Sequence, residues 1–263
     1  MFGSGSHRTE GGILRMKSAY LCMFVLGLFV ITCVANGLDI NDPDLLLYLP
    51  FNGDTDDFSV NGNNGELVGN ADFGEGQHGE ALEFSAAGEV KAPYIPLNDR
   101  SFTMCMWVKP ELAGEDQQCV FSQKDNNVTN TSLHYRIYTS GQVRMGFYSN
   151  DLDAGGAVKA GEWAHLCFWL DVEGKSRKIY INGKQVAEDA GKSGIEYKGT
   201  KGDTMIGSWS TSGQKFNGAI DEVQVWNRPL TEKEIEQSMR DLTVLAVDAS
   251  GKLAATWGSL KTP

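Results

Sequence analysis

The stretch that decides the fold is residues 216–235, FNGAIDEVQVWNRPLTEKEI. The apolar residues Ile220, Val223, Val225 and Trp226 surround a paired Asp221-Glu222, and Asn217-Gly218 reads as a turn ahead of them. The expected strand stops before Pro229, because proline has no N–H to give to a ladder. Thr231 and Glu234 then have the T-x-x-E spacing of a capping box, in which each side chain takes a free backbone donor at a helix start. One short piece of chain therefore specifies turn, strand, break and capped helix.

Outward from this piece, short strand patterns recur. Residues 45–51, 79–84, 89–95, 101–108, 119–123, 133–139, 143–148, 163–171 and 203–209 all read as strands. In 101–108 the alternation puts Phe102, Met104, Met106 and Val108 on one face and Thr103, Cys105 and Trp107 on the other. In 163–171, Ala164, Leu166, Phe168 and Leu170 share a face. Asn182-Gly183, within 178–186, is a strong signal for a two-residue hairpin, setting Ile179 opposite Val186. Between 133–139 and 143–148, a three-residue loop Ser140-Gly141-Gln142 keeps the apolar face whole. It sets Thr139 opposite Val143, Ile137 opposite Met145 and Tyr135 opposite Phe147. With one short C-terminal helix and turns between all other elements, the fold class is all-β, a two-sheet antiparallel sandwich.

Composition agrees. The chain of 263 residues holds 31 Gly but only 7 Pro, which suits many tight turns. Its formal net charge of −11 repels phosphate backbones, so nucleic acid is excluded as a partner class. Residues 19–35 (AYLCMFVLGLFVITCVA) follow Lys17 and end in a small residue, the plan of a secretory signal. Three regions result: an N-terminal extension and signal over 1–37, a sandwich over 38–240, and a tail or small hairpin over 241–263. The expected location is secreted, extracellular or at the cell surface. Contact with a membrane is expected only through the signal, if it stays uncleaved. Outside the leader stand Cys105, Cys119 and Cys167, read either as buried thiols or as one disulfide plus a free thiol.

The ordered pieces LLLYLPFNGDTDDFSVNGNNGEL, GEALEF, SFTMCMWVKP, GEWAHLCFWLD and KIYINGKQV, with the closing GAIDEV strand and NRPLTEKEI helix, resemble the LamG-like jelly-roll family of the concanavalin A-like lectin/glucanase superfamily. The resemblance covers roughly residues 43–240. It implies an extracellular jelly roll that acts as an adhesion or sugar-binding module, often with calcium, and whose first and last strands are neighbours.

Three functions are open. In the first, a binding module, residues out of phase with the core line the outer side of one sheet: Trp107, Arg136, Tyr138, Arg144, Tyr148, His165 and Trp169. Aromatic rings stack on sugars and guanidinium groups bind hydroxyls or carboxylates, so the expected partner is a glycan, an acidic one included, or an extracellular protein. In the second, a glycoside hydrolase, two carboxylates must flank a cleft. Asp221-Glu222 lacks the further acidic residue of such motifs, with Ala219 standing two places before it, so no enzyme is expected. The third is a structural or protein-interaction module. For calcium, which takes several oxygen ligands, the candidates are Asn52, Asp54, Asp57, Asn64 and Asp221. The same loop residues also serve plain turn chemistry.

Overall fold

The computed structural model describes residues 38–240 and Leu242, apart from 86–87, 157 and 210–212. The expected signal over 1–37 and all of the tail except Leu242 lie outside the described residues.

Two antiparallel sheets face each other. The first holds β1 (Leu45–Leu49), β3 (Ala71–Glu75), β4 (Glu80–Ser85), β6 (Phe102–Pro110), β11 (Ala164–Asp171), β12 (Ser176–Ile181), β13 (Lys184–Asp189) and β15 (Asn217–Trp226). Its order is β13-β12-β11-β6-β15-β4-β3, with β1 also paired to β15. The second runs β10-β9-β8-β7-β14-β5-β2. Its members are β2 (Glu66–Val68), β5 (Glu89–Ala92), β7 (Gln117–Lys124), β8 (Ser132–Tyr138), β9 (Val143–Gly146), β10 (Asp151–Ala154) and β14 (Thr204–Ile206). The single helix among the described residues is α1 (Glu232–Gln237). It starts on the expected capping box, with the Glu234 N–H donating to Thr231 and the Thr231 N–H to Glu234.

The expected alternation sets the core. Phe102, Met104, Met106 and Val108 of β6 and Leu166, Phe168 and Leu170 of β11 face inward, toward Leu133, Tyr135 and Ile137 of β8. Tyr135 stacks on Phe168 across the gap between sheets, ring centroids 4.2 Å apart. Each such apolar side chain taken out of water contributes about 1.5–3 kcal/mol. A second apolar cluster lies on the opposite side of the first sheet. There Tyr48, Cys105, Cys167, Tyr180 and Trp226 are sealed by Leu38, Leu230, Ile235 and Leu242.

Three local expectations are corrected. Asn217-Gly218 is the start of β15, not a turn; Gly218 pairs with Phe84 and Pro110, and a Cβ there would lie 2.2 Å from the Lys109 carbonyl oxygen. The β8–β9 hairpin pairs Ile137 with Val143 and Tyr135 with Met145. Its three-residue loop is thus Thr139-Ser140-Gly141, one place earlier than expected. Such loops end on the residue in the left-handed region, and that residue is Gly141 at φ 79°. The Asn182-Gly183 loop has two residues as expected, yet a bulge beyond it pairs Ile179 with Ala187 and leaves Val186 exposed. The strands β2, β3 and β10 carry too short or too polar a pattern to be read in advance. β1 pairs with β15, as the family resemblance implied.

Candidate functional site

The seven residues expected on one sheet face divide between the two sheets. Trp107, His165 and Trp169 lie on β6 and β11, outward on the first sheet. They are the seat of the C-terminal segment. Trp169 Nε1 donates to the Leu230 carbonyl at 2.9 Å and Trp107 Nε1 to the Met239 carbonyl at 3.3 Å. His165 is fully buried, its Nε2 3.4 Å from Ser238 Oγ. Burial pulls its pKa down to about 3. Alternation reports only that a residue points away from the core; it does not report which of two outer faces receives it.

Arg136, Tyr138 and Arg144 lie outward on β8 and β9, and Tyr148 sits in the turn before β10 at φ 57°. Register builds two rows across the second sheet. One runs Ser122, His134, Gly146, Asp151, and the next runs Cys119, Arg136, Arg144, Asp153. Arg144 grips Asp153 with two bonds of 2.7 and 2.8 Å and meets Asp151 at 3.1 Å. Its guanidinium also covers the Tyr138 ring at 5.1 Å. Gly146 makes room for a buried imidazole: a Cβ there would lie 2.1 Å from His134 Nε2. That nitrogen is 3.3 Å from Asp151 Oδ1. Burial nevertheless holds the His134 pKa below its usual value, more than Asp151 raises it.

The residue that organises this face is Trp209, which sequence reasoning placed at the end of a strand and did not select. β14 ends at Ile206, and the following chain carries Trp209 over β7 and β8. The ring lies 5.1 Å from the His134 ring, 5.2 Å from the Arg136 guanidinium and 5.9 Å from Lys124 Nζ. Its loop is tied down by Ser122 Oγ donating to the Ser208 carbonyl at 2.7 Å. Arg136 donates from Nη1 to Gln117 at 2.9 Å, while its Nε has no acceptor among the described residues. Neither Arg136 nor Lys124 forms an ion pair among the described residues. The only sequence signal for Trp209 is an aromatic residue beside a Ser/Gly-rich loop.

The proposed calcium donors are engaged in backbone bonds. Asp57 accepts from the N–H groups of Tyr48, Ser59 and Asn63 and from Ser59 Oγ, at 2.7–2.9 Å. Asn64 accepts from the Asp57 N–H, Asn52 from the Glu80 N–H, Asp54 from the Asp56 N–H and Asp221 from the His78 N–H. Among the described residues no group of three or more His, Cys, Asp or Glu gathers around a metal position. These bonds are what turn chemistry requires of the loop.

Asp221 and Glu222 mark a bulge in β15, where pairing with β6 slips between Asp221 and Gln224 and Glu222 takes φ 55°. Both are buried. Asp221 Oδ1 has no partner among the described residues, and burial lifts its pKa to about 6. Glu222 accepts from Tyr48 Oη at 2.7 Å. A groove of about 240 Å³ lies elsewhere on the first sheet, lined by Asp72, Glu83, Glu111 and Lys109 among others.

Residues 84–236 match the Laminin_G_3 model, described as the concanavalin A-like lectin/glucanases superfamily. The chain is 28% identical over 159 residues to Pentraxin-related protein PTX3 of Mus musculus, covering 56% of this chain and 40% of that protein. It is 25% identical over 181 residues to Pappalysin-1 of Mus musculus, covering 60% of this chain and 11% of that protein. The chain thus spans less than half the length of either curated relative. Domain 4 of AbnA, a GH43 extracellular arabinanase from Geobacillus stearothermophilus solved with arabinotriose, superposes with a TM-score of 0.61 at 22% identity. That match covers 75% of this chain and 98% of the domain. The botulinum neurotoxin serotype G binding domain gives 0.57 at 12% identity, covering 74% of this chain and 50% of the other. At these identities the structural likeness shows the fold.

Proposed function

Because the chain belongs to the Laminin_G_3 family of the concanavalin A-like lectin/glucanases superfamily, we propose that it is a secreted, non-catalytic carbohydrate-recognition module. The observation that carries this reading is the outer face of the second sheet, where half-buried Trp209 and Tyr138 stand beside the guanidinium groups of Arg136 and Arg144. An indole or phenol ring offers apolar surface to a sugar ring and a polar edge to water. Guanidinium donors select hydroxyl or carboxylate oxygens by a fixed fork. The first sheet's matching residues are spent on holding the C-terminal segment.

Hydrolysis needs two carboxyl groups that reach a glycosidic oxygen. Asp221 and Glu222 are buried, one under the 76–80 loop and the other against Tyr48, so neither meets a substrate. The AbnA domain of the same fold was solved with arabinotriose, which supports a sugar as ligand class. The apolar leader over 19–35 supports export.

A glycan array probed with the full chain, followed by calorimetric titration of the hits, tests the reading. At least one glycan class binds, and Trp209→Ala abolishes it while the far-UV spectrum is unchanged. Silence across neutral and charged glycans alike overturns it, as does binding that survives Trp209→Ala.

A further inference from the structure

We infer that the ligand position around Trp209 is built for an anionic sugar residue, one carrying a carboxylate, held by Lys124 and Arg136. This rests on the carbohydrate reading above and names the substrate class of that same face.

Positive charge is left over on this face. The protein carries a net charge of −11, and most of its buried or half-buried cations are matched. Arg144 is matched by Asp151 and Asp153, Arg177 by Asp189, Arg228 by Glu234 and Asp42. Arg136 and Lys124 break that pattern, as does Lys109 on the first sheet, but only Arg136 and Lys124 share one aromatic ring. Arg136 is only 9% exposed, makes one hydrogen bond through Nη1, and has no carboxylate partner among the described residues. Lys124 is half-buried with no hydrogen bond or ion pair among the described residues. Both instead sit against one indole ring, within 6 Å of its centroid.

A cation removed from water without an anionic partner is costly, and a donor left unpaired adds about 1–3 kcal/mol. A cation–π contact offsets part of this. The remainder is recovered when a ligand brings its own charge, because charge-assisted bonds to guanidinium and ammonium groups are the strong ones. The indole that both cations approach supplies apolar surface for the ring that bears the carboxylate. His134, packed edge-on against the same indole, is kept neutral by burial, so the positive charge of the position comes from Lys124 and Arg136. Arg144 engages the carboxylates of both Asp151 and Asp153, so one carboxylate charge is left to set against the two cations Lys124 and Arg136.

The test titrates the full chain with oligogalacturonate and with the same oligomer methyl-esterified, which keeps the rings and removes the charge. Sialyllactose against lactose and dextran sulfate against dextran are parallel arms. The acid form of at least one carboxylated sugar binds about tenfold or more tighter than its neutral twin, and the difference shrinks between about 0.05 and 0.3 M salt. Lys124→Gln and Arg136→Gln remove that preference, Arg136→Lys restores part of it, and Lys184→Gln on the far hairpin leaves it intact. Equal binding of acid and ester overturns this inference and leaves the carbohydrate reading standing. Binding of dextran sulfate alone overturns the carboxylate assignment. No binding in any arm overturns both.

Discussion

Cys105 and Cys167 face each other across neighbouring strands β6 and β11, register partners with their sulfurs 2.8 Å apart. Both are buried thiols in the apolar cluster with Tyr48 and Trp226. Cys119 lies on the other sheet with its sulfur against the Phe121 carbonyl. The open choice among the three thiols is thereby narrowed to one pair.

We predict that in an oxidising compartment that pair closes to a disulfide. Tying residues 62 apart removes unfolded-state freedom worth about 4 kcal/mol in the chain-entropy model. Protein secreted from an oxidising host shows a mass lower by about 2 Da than its reduced form, and one titratable thiol after denaturation. That thiol is Cys119, which burial makes inert in the native state by pushing its pKa up to about 11. Three thiols titrating in the denatured, non-reduced protein would contradict the pairing.

Asp221 and His165 give opposing pH dependences. The folded pKa of Asp221 is raised to about 6, so its contribution to stability is present below about pH 4 and fades as pH rises through 6. The folded pKa of His165 is lowered to about 3, so its contribution is present above about 6.5 and fades as pH falls. In the interval from about 6 down to 4 the two slopes oppose. Urea midpoints measured across pH separate them. Asp221→Asn gains stability relative to the parent above pH 6, and His165→Gln flattens the acid limb. A pH profile unaffected by Asp221→Asn would remove this account.

Asp57 holds the first loop through four hydrogen bonds. Asp57→Ala leaves several buried donors without acceptors and costs about 3 kcal/mol. Thermal melts with chelator and with calcium check the competing role: equal midpoints agree with turn chemistry. A calcium-dependent rise that Asp57→Ala abolishes establishes a metal cage in its place.

Gly141 ends the β8–β9 loop at φ 79°, and a Cβ there would lie 2.3 Å from the Val158 carbonyl oxygen. Gly141→Ala therefore destabilises by about 2 kcal/mol or more, combining strain with a backbone clash. Ser140→Ala in the same loop is close to neutral. Chemical denaturation of the two variants, measured side by side, reads the contrast.

Much of the architecture was legible because its signals are local. Alternation in β6 and β11 gave the inward faces, Asn182-Gly183 gave a two-residue turn, and Thr231 with Glu234 gave the helix start. The β8–β9 register escaped by one loop position. Moving the loop back by one residue shifts the pairing by two, which preserves every face, so only the backbone need of Gly141 discriminates. The candidate site was half legible. Arg136, Tyr138 and Arg144 were selected by phase, while Trp209 and Lys124 were not.

The sequence by itself determined which side chains turn inward, where the chain bends and that its strands form a sandwich, because period, turn chemistry and capping act within a few residues of chain. Only the tertiary structure decided which outer face each remaining residue joined, that Leu230, Ser238 and Met239 on either side of α1 settle against Trp169, His165 and Trp107, and that Trp209 comes to rest on Arg136. Those outcomes depend on which strands become neighbours and on what packs over each sheet. Both follow from contacts between segments far apart in the chain, on which a residue's phase is silent.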